Sequence, residues 1–250
     1  MQLITTTRCN MHCAHCCFSC GPQGEDMPWG VFAAAVERAL EIQPFHYSDS
    51  DLNFIGGEPT LHPLLWEMVS HALMRGLDIH VTTNGKNSEV AVELARMAKH
   101  GVIGASLSTD GFHETVPMAV YDAFRPGKRS TSRFFEVRYF VDHHDRTFNN
   151  YGADSYLAAA GRGKQFEKAK DLCCCPDWTV RASGKVYKCG CADSPQIGSI
   201  FESIKTWDLD QVCHRQEAGN WHGLESVVVK GMKGALTSEE LWGLTGVRPQ

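Results

Sequence analysis

"TTTRCNMHCAHCC", residues Thr5 to Cys17, places four cysteines and two histidines within thirteen residues, directly after a short β-type run. Cysteine is normally scarce and buried, so spaced thiols beside one strand end point to a metal before they point to a core. Cys9, Cys13 and Cys16 have the spacing C-x3-C-x2-C. Three thiolates on one loop can hold three irons of a 4Fe–4S cube and leave the fourth iron without a protein ligand. A zinc finger more often pairs C-x2-C with a second pair elsewhere, closing four positions. The open iron is the informative feature, because something from outside the chain must bind it.

A second thiol group lies in the C-terminal half. From Cys174, nine residues lead to Gly184 and four more to Cys189; Cys191 and Cys213 follow. One of Cys173, Cys174 and Cys175, with Cys189, Cys191 and Cys213, makes four thiolates, enough for one closed cluster. The same four suit a structural zinc, which stays open as an alternative. Adjacent side chains point in different directions, so only one of the "CCC" triple is expected to ligate. "DHHD" (Asp142 to Asp145) looks metal-like, but neighbours along a strand or loop rarely converge on one ion.

These residues need elements to hold them. "LITTT" reads as a strand, Pro28 to Ile42 as a helix with Phe32, Val36, Ala39 and Leu40 on one face, and "LNFIGG" as a second strand ending in glycines. Thr60 is expected to cap the next helix, with Pro63 in its first turn and Gly76 after its end. "LDIHVTTN" is a third strand, Ser88 to His100 a third helix stopped by Gly101, "VIGASLSTD" a fourth strand and "FFEVRYFVD" a fifth. Short strands alternating with helices of this length indicate parallel βαβ units, in a partial (β/α) barrel of five or six strands or an open sheet. In either, ligands gather at the carboxyl ends of the strands. Cys9 to Cys16, Gly56 to Thr60, Asn84 and Asp110 all lie there. After residue 160 the helical period weakens, and "CCCPDWTVRASGKVYKCGC" reads as a β-hairpin turning at "SGK". The boundary falls near residues 150–170, dividing the chain into 1–155 and 156–250. A short helix is expected over Ser238 to Leu244.

On these motifs the chain resembles the radical S-adenosylmethionine (radical SAM) superfamily. "TTRCNMHCAHC" is similar to its cluster loop, "GGEPTLHP" to its glycine-rich segment for the methionine amino group of SAM, and "SLSTDGFHE" to its element near the ribose. The resemblance implies that Cys9, Cys13 and Cys16 hold a 4Fe–4S cluster whose free iron is chelated by SAM. Gly56, Gly57, Glu58 and Pro59 would then lie at the SAM methionine. Glu58 would pair with its ammonium, or serve only as a helix-start carboxylate. Ser106 and Ser108, on one face of their strand, would reach the ribose or merely cap the strand end. His15 stands where the family often has an aromatic residue beside the adenine, adding a group that titrates near neutrality. His12 reads as a solvent-facing loop residue.

Cys17 and Cys20 are additional thiols. The readings open for them are hydrogen-atom donors, with Cys20 the candidate, alternates in ligand assignment, or loop cysteines of no special use. The C-terminal thiols and "IGSIFESIKTW" resemble the Twitch and SPASM domains that carry auxiliary Fe–S clusters in this family. Cys174, Cys189, Cys191 and Cys213 would hold one such cluster, in a small domain closing the barrel mouth.

The resemblance implies an enzyme that cleaves SAM reductively and uses the 5′-deoxyadenosyl radical to abstract a hydrogen atom. Its substrate would be a peptide, amino acid or other small molecule, with the auxiliary cluster aiding oxidation or bond formation. Its electron donor would be a flavodoxin or ferredoxin. Two alternatives stand beside this: a redox-neutral isomerase or epimerase acting on an amino-acid or modified nucleobase or nucleotide derivative, and a non-catalytic Fe–S or zinc sensor. Composition adds bounds. The net charge of −5 over 250 residues does not describe a nucleic-acid surface overall, although "RPGKRSTSRFFEVR" is locally basic, and Arg125, Lys128 and Arg129 there are candidates for an anionic substrate group. The opening residues show no secretory signal and no segment approaches a membrane span. Eleven cysteines without an export signal are expected as thiols or metal ligands, in the cytoplasm.

Overall fold

The computed structural model describes residues 1–42, 51–109, 112–125, 160–165 and 178–209. Its centre is strand β1 (Gln2–Thr6), with β2 (Leu52–Gly56), β3 (Ile79–Thr83) and β4 (Gly104–Leu107) following in sequence. Helices α1 (Trp29–Ile42), α2 (Leu65–Met74) and α3 (Ser88–Lys99) connect them. Each crossover makes a parallel pair, with Leu3 opposite Phe54, Phe54 opposite Val81, and Val81 opposite Ala105. Leu3, Phe54 and Val81 are fully buried, as a strand covered on both faces requires.

The helices form where apolar residues recur every three or four positions. In α1, Val31, Phe32, Ala35, Val36, Ala39 and Ile42 are buried, and in α3, Ala91, Leu94, Ala95 and Ala98 are. Phe32 meets Phe54 edge to face at 6.0 Å, joining α1 to the sheet. Gly76 and Gly101 have positive φ just beyond α2 and α3, where the helices were expected to stop.

Two local details differ from the sequence reading. Thr60 caps no α-helix. Glu58 caps a single 3-10 turn over Pro59–Leu61, and α2 starts only at Leu65, after Pro63. The amide of Leu64 donates instead to His62 Nδ1 at 3.0 Å. A fourth helix, α4 (Met118–Phe124), was not anticipated; it follows Pro117 and buries Val120 and Phe124. The anticipated fifth strand at "FFEVRYFVD" and the short helix at Ser238 to Leu244 lie outside the described residues.

The hairpin is present as β5 (Thr179–Val180) and β6 (Lys185–Tyr187), and β7 (Gln196–Ser199) adds a third strand. Gly184 turns the hairpin at φ +78°, and its missing Cβ leaves room for the Phe201 ring. β5 pairs in parallel with β1, with Gln2 opposite Thr179 and Leu3 opposite Val180. The result is one mixed sheet of order β4-β3-β2-β1-β5-β6-β7, five strands parallel and the last two antiparallel to their neighbours. This is a partial (β/α) barrel sheet extended by the hairpin. Among the described residues, no helix is long and apolar enough to cross a membrane.

Candidate active site

The loops leaving β1, β2 and β3 meet at the carboxyl end of the sheet. The glycines after β2 explain how closely. Gly57 N–H donates to Thr6 O at 2.7 Å, and Glu58 N–H donates to Arg8 O at 2.8 Å, so ladder pairing continues beyond the strands. A Cβ on Gly57 would collide with the Arg8 carbonyl, and one on Gly56, at φ +127°, with the Thr6 carbonyl. The first demand on "GG" is therefore that one loop lie flat against the other.

Arg8 fixes the same junction through its side chain. Its guanidinium donates to both carboxylate oxygens of Asp26 at 3.0 and 2.8 Å and to Leu61 O at 2.6 Å. Asp26 also accepts from Thr6 Oγ at 2.7 Å. Both ends of the excursion from residue 7 to residue 27 are thereby pinned, with Met27 N–H on Thr5 O at 2.7 Å and Cys9 N–H on Gly21 O at 2.6 Å. Asp26→Ala removes three accepted hydrogen bonds at a partly exposed site. A loss of about 1.5 kcal/mol is expected, read as a lower urea midpoint of the apo chain.

Cys9, Cys13, Cys16 and Cys20 sit together within this excursion with buried Met11. Cys9 Sγ accepts from Met11 N–H at 3.4 Å and from Asn84 Nδ2 at 3.6 Å, while Asn84 also donates to Asn10 Oδ1 at 2.9 Å. Burial pushes the Cys9 thiol up, and these two donors oppose it. The side-chain hydrogen bond between Cys16 and Cys20 pushes Cys16 down and Cys20 up. Cys20 is buried, and the geometry brings it to Cys16.

Two residues of this site carried little signal in the sequence. Asn84 stood out only as a residue at a strand end. Donors to a cluster sulfur stabilise its reduced, more negative state. Asn84→Ala should lower the potential of a cluster held there by tens of millivolts, measured by an EPR-monitored redox titration. Arg162 gave no signal at all. It lies in the 3-10 segment Gly161–Gln165 and donates from Nε to Cys13 O at 3.0 Å, from Nη1 to Cys20 O at 2.7 Å, and from its amide to Cys16 O at 3.0 Å. One arginine thus fastens three carbonyls of the thiol loop.

Glu58 is fully buried. Its carboxylate accepts from Thr60 N–H at 3.2 Å, Thr83 Oγ at 2.7 Å and Asn84 N–H at 2.7 Å. Burial raises its pKa, and those donors work against the rise. Pro59 is buried beside it. His15 stacks on Phe112 at 4.7 Å and meets His113 edge-on at 5.2 Å, while His12 is exposed. Ser106 is buried and shares a 2.7 Å hydrogen bond with His80 Nε2; Ser108 is half-buried and donates its amide to Thr83 O at 2.8 Å.

Cys189 and Cys191 are buried around the β6–β7 connection, whereas Cys173, Cys174, Cys175 and Cys213 lie outside the described residues. So do Asp110, Lys128, Arg129 and the "DHHD" stretch. Arg125 is exposed and pairs with Asp122 at 3.2 Å.

The three-thiol loop and the glycine-ended second strand both lie in the part of the chain that the family comparison matches. The model of the Radical SAM superfamily matches residues 3–138, more than half of the chain. The chain belongs to the radical SAM superfamily. The family implies a 4Fe–4S cluster and SAM. Among curated relatives, the chain is 31% identical over 121 residues to the mycofactocin maturase MftC of Mycobacterium ulcerans, covering 47% of this chain and 31% of that protein. It is 29% identical over 108 residues to the same-named protein of Mycobacterium tuberculosis, covering 42% and 26%. It is 30% identical over 112 residues to the Fe-coproporphyrin III synthase of Methanosarcina barkeri, covering 44% and 27%. The matched portion spans less than a third of these relatives' own length.

The residues present fit the family's cofactors. Three thiols come from one short loop, two of them half-buried, the Met11 amide and Asn84 are aimed at Cys9 sulfur, and Arg162 brings positive charge to the thiols.

Proposed function

We propose that Cys9, Cys13 and Cys16 hold a 4Fe–4S cluster and that SAM completes it. The carrying observation is that these thiols share one loop, hydrogen-bonded along its backbone to the Gly56–Pro59 segment. When bound, the pair supplies reductive cleavage of a carbon–sulfur bond in SAM and a 5′-deoxyadenosyl radical able to abstract a hydrogen atom from substrate. The chain's own part is to position and shield. Gly56, Gly57 and Pro59 line the approach to the cluster loop. Glu58 keeps lone-pair capacity beyond its three internal donors and holds the methionine ammonium. His15, braced by Phe112, lies beside the adenine, and Ser108 beside the ribose. Ser106 supports that strand end through His80.

The auxiliary cluster belongs to the same proposal, with Cys174, Cys189, Cys191 and Cys213 as its thiolates. So does the division into a barrel over 1–155 and an auxiliary-cluster domain over 156–250. The buried positions of Cys189 and Cys191, in the connection between β6 and β7, support the cluster. The substrate is a peptide, amino acid or other small molecule, and the electron donor a flavodoxin or ferredoxin. That similar proteins are named a maturase and a porphyrin synthase supports a substrate-modifying role. Anaerobic reconstitution followed by dithionite and SAM tests the reading. Release of 5′-deoxyadenosine is expected, and bound iron without release would make the chain a non-catalytic Fe–S protein.

A further inference from the structure

Cys17 has no place in the three-thiol loop, yet the fold gives it a setting of its own. Ala160, Cys189 and Cys191 form one buried cluster, and half-buried Cys17 packs against it. Cys189 is 0% and Cys191 2% exposed. The backbones are joined too, because Ala192 N–H donates to Cys17 O at 3.3 Å. Gly161 lies so close to the carbonyls of Cys16 and Cys17 that a Cβ there would overlap both. Phe18, the next residue, lies where a side chain on Gly190 would sit. Two segments more than 170 positions apart therefore bring three thiols into one apolar pocket.

Neighbouring side chains along the chain point apart, and here the divergence is put to use: Cys16 faces the N-terminal thiol group, Cys17 the C-terminal one. The pocket also has the polar features expected around thiolates. Cys189 N–H is held by Ser194 Oγ at 2.9 Å, and Ser194 N–H donates to Cys191 O at 3.1 Å, wrapping the turn around the sulfurs. Arg181 donates to Cys191 O at 3.0 Å and stacks over the Tyr187 ring at 3.7 Å, which fixes a positive charge at the pocket's edge. Among the described residues, no three cysteine, histidine or carboxylate side chains converge closely enough for a single metal ion.

We infer that Cys17, together with Cys189 and Cys191, supplies thiolate corners of the auxiliary iron–sulfur cluster, so that the peptide Cys16–Cys17 carries one ligand to each of two clusters. This rests on the proposed auxiliary cluster and revises its four-thiolate set: Cys17, Cys189 and Cys191 fill three corners, and one of Cys174 and Cys213 the fourth. It also ties assembly of the second site to correct folding of the first loop.

The test uses the full chain, reconstituted anaerobically with iron and sulfide. In the Cys9→Ala/Cys13→Ala/Cys16→Ala variant, remaining iron reports the second site and should be about half that of the wild type. Adding Cys17→Ala should lower this residue of iron at least about fivefold, with loss of its EPR signal on reduction. Cys17→Ser in the same background should retain part of it, with a shifted absorption spectrum, because a hydroxylate can replace a thiolate where a methyl cannot. Phe18→Ala, which disturbs the same packing without removing a thiol, should keep most of it. Full retention of iron in the Cys17→Ala variant overturns the inference. So does equal loss in the Phe18→Ala variant, zinc in place of iron, or the absence of iron from the triple-alanine background. Failure of the radical SAM reading looks different: wild-type protein with both clusters would release no 5′-deoxyadenosine.

Discussion

Cys13→Ala is expected to bring SAM-dependent 5′-deoxyadenosine release down to the level of protein-free controls. Cys13 is the middle thiol of the loop, and its carbonyl is held by Arg162 at 3.0 Å. The backbone there is set independently of any metal, so the substitution removes a ligand while leaving its scaffold. A cube held by two remaining thiolates has two exposed corners, and it either falls apart or binds water where SAM must chelate. Cys189→Ala should behave differently, lowering iron by about half while SAM cleavage persists, since the proposal places Cys189 in the second site. Iron content, absorbance and product release on the same samples separate the two outcomes. If the Cys13→Ala protein still cleaves SAM, the N-terminal loop does not hold the reactive cluster.

What could be read from the sequence was what depends on neighbours along the chain. The alternation of β1, α1, β2, α2, β3, α3 and β4 follows from local periodicity, and the strand-end positions of Cys9, Gly56 and Asn84 followed with it. The hairpin at Gly184 was legible for the same reason. Its partner was not: β5 is two residues long and pairs with β1 across 177 positions, for example from Gln2 to Thr179. The Arg8–Asp26 clamp joins residues 18 apart and the Arg162 contact spans 149. No periodicity or motif connects such pairs. Thr60 misled because its residue type suits a cap, while buried Glu58 holds the position through Thr60's own amide. Cys17 shows the same limit, since sequence distance hid its proximity to Cys189 and Cys191.

Gly57→Ala is expected to destabilise the apo chain by about 3 kcal/mol and to lower its thermal midpoint by roughly 6–12 °C. The resemblance to the family's glycine-rich segment accounts for glycine here by the closeness of SAM, but this structure places an earlier demand on it. The new methyl group would overlap the Arg8 carbonyl, which is itself the acceptor for Glu58 N–H at 2.8 Å. A flexible side chain could move aside, whereas this neighbour is backbone. Relief therefore requires the two loops to part, breaking the Gly57–Thr6 and Glu58–Arg8 hydrogen bonds and shifting both the cluster loop and the Glu58 carboxylate. Iron retention after reconstitution should fall along with stability, even with no SAM present. Gly30→Ala is the internal control, because a Cβ there meets no atom within 4 Å and lies in helix α1, where alanine is favoured. It should leave the midpoint unchanged or raise it slightly. Were Gly57→Ala to match that control in melting and iron content while losing only SAM affinity, the glycine would serve the cosubstrate rather than the contact between the two loops.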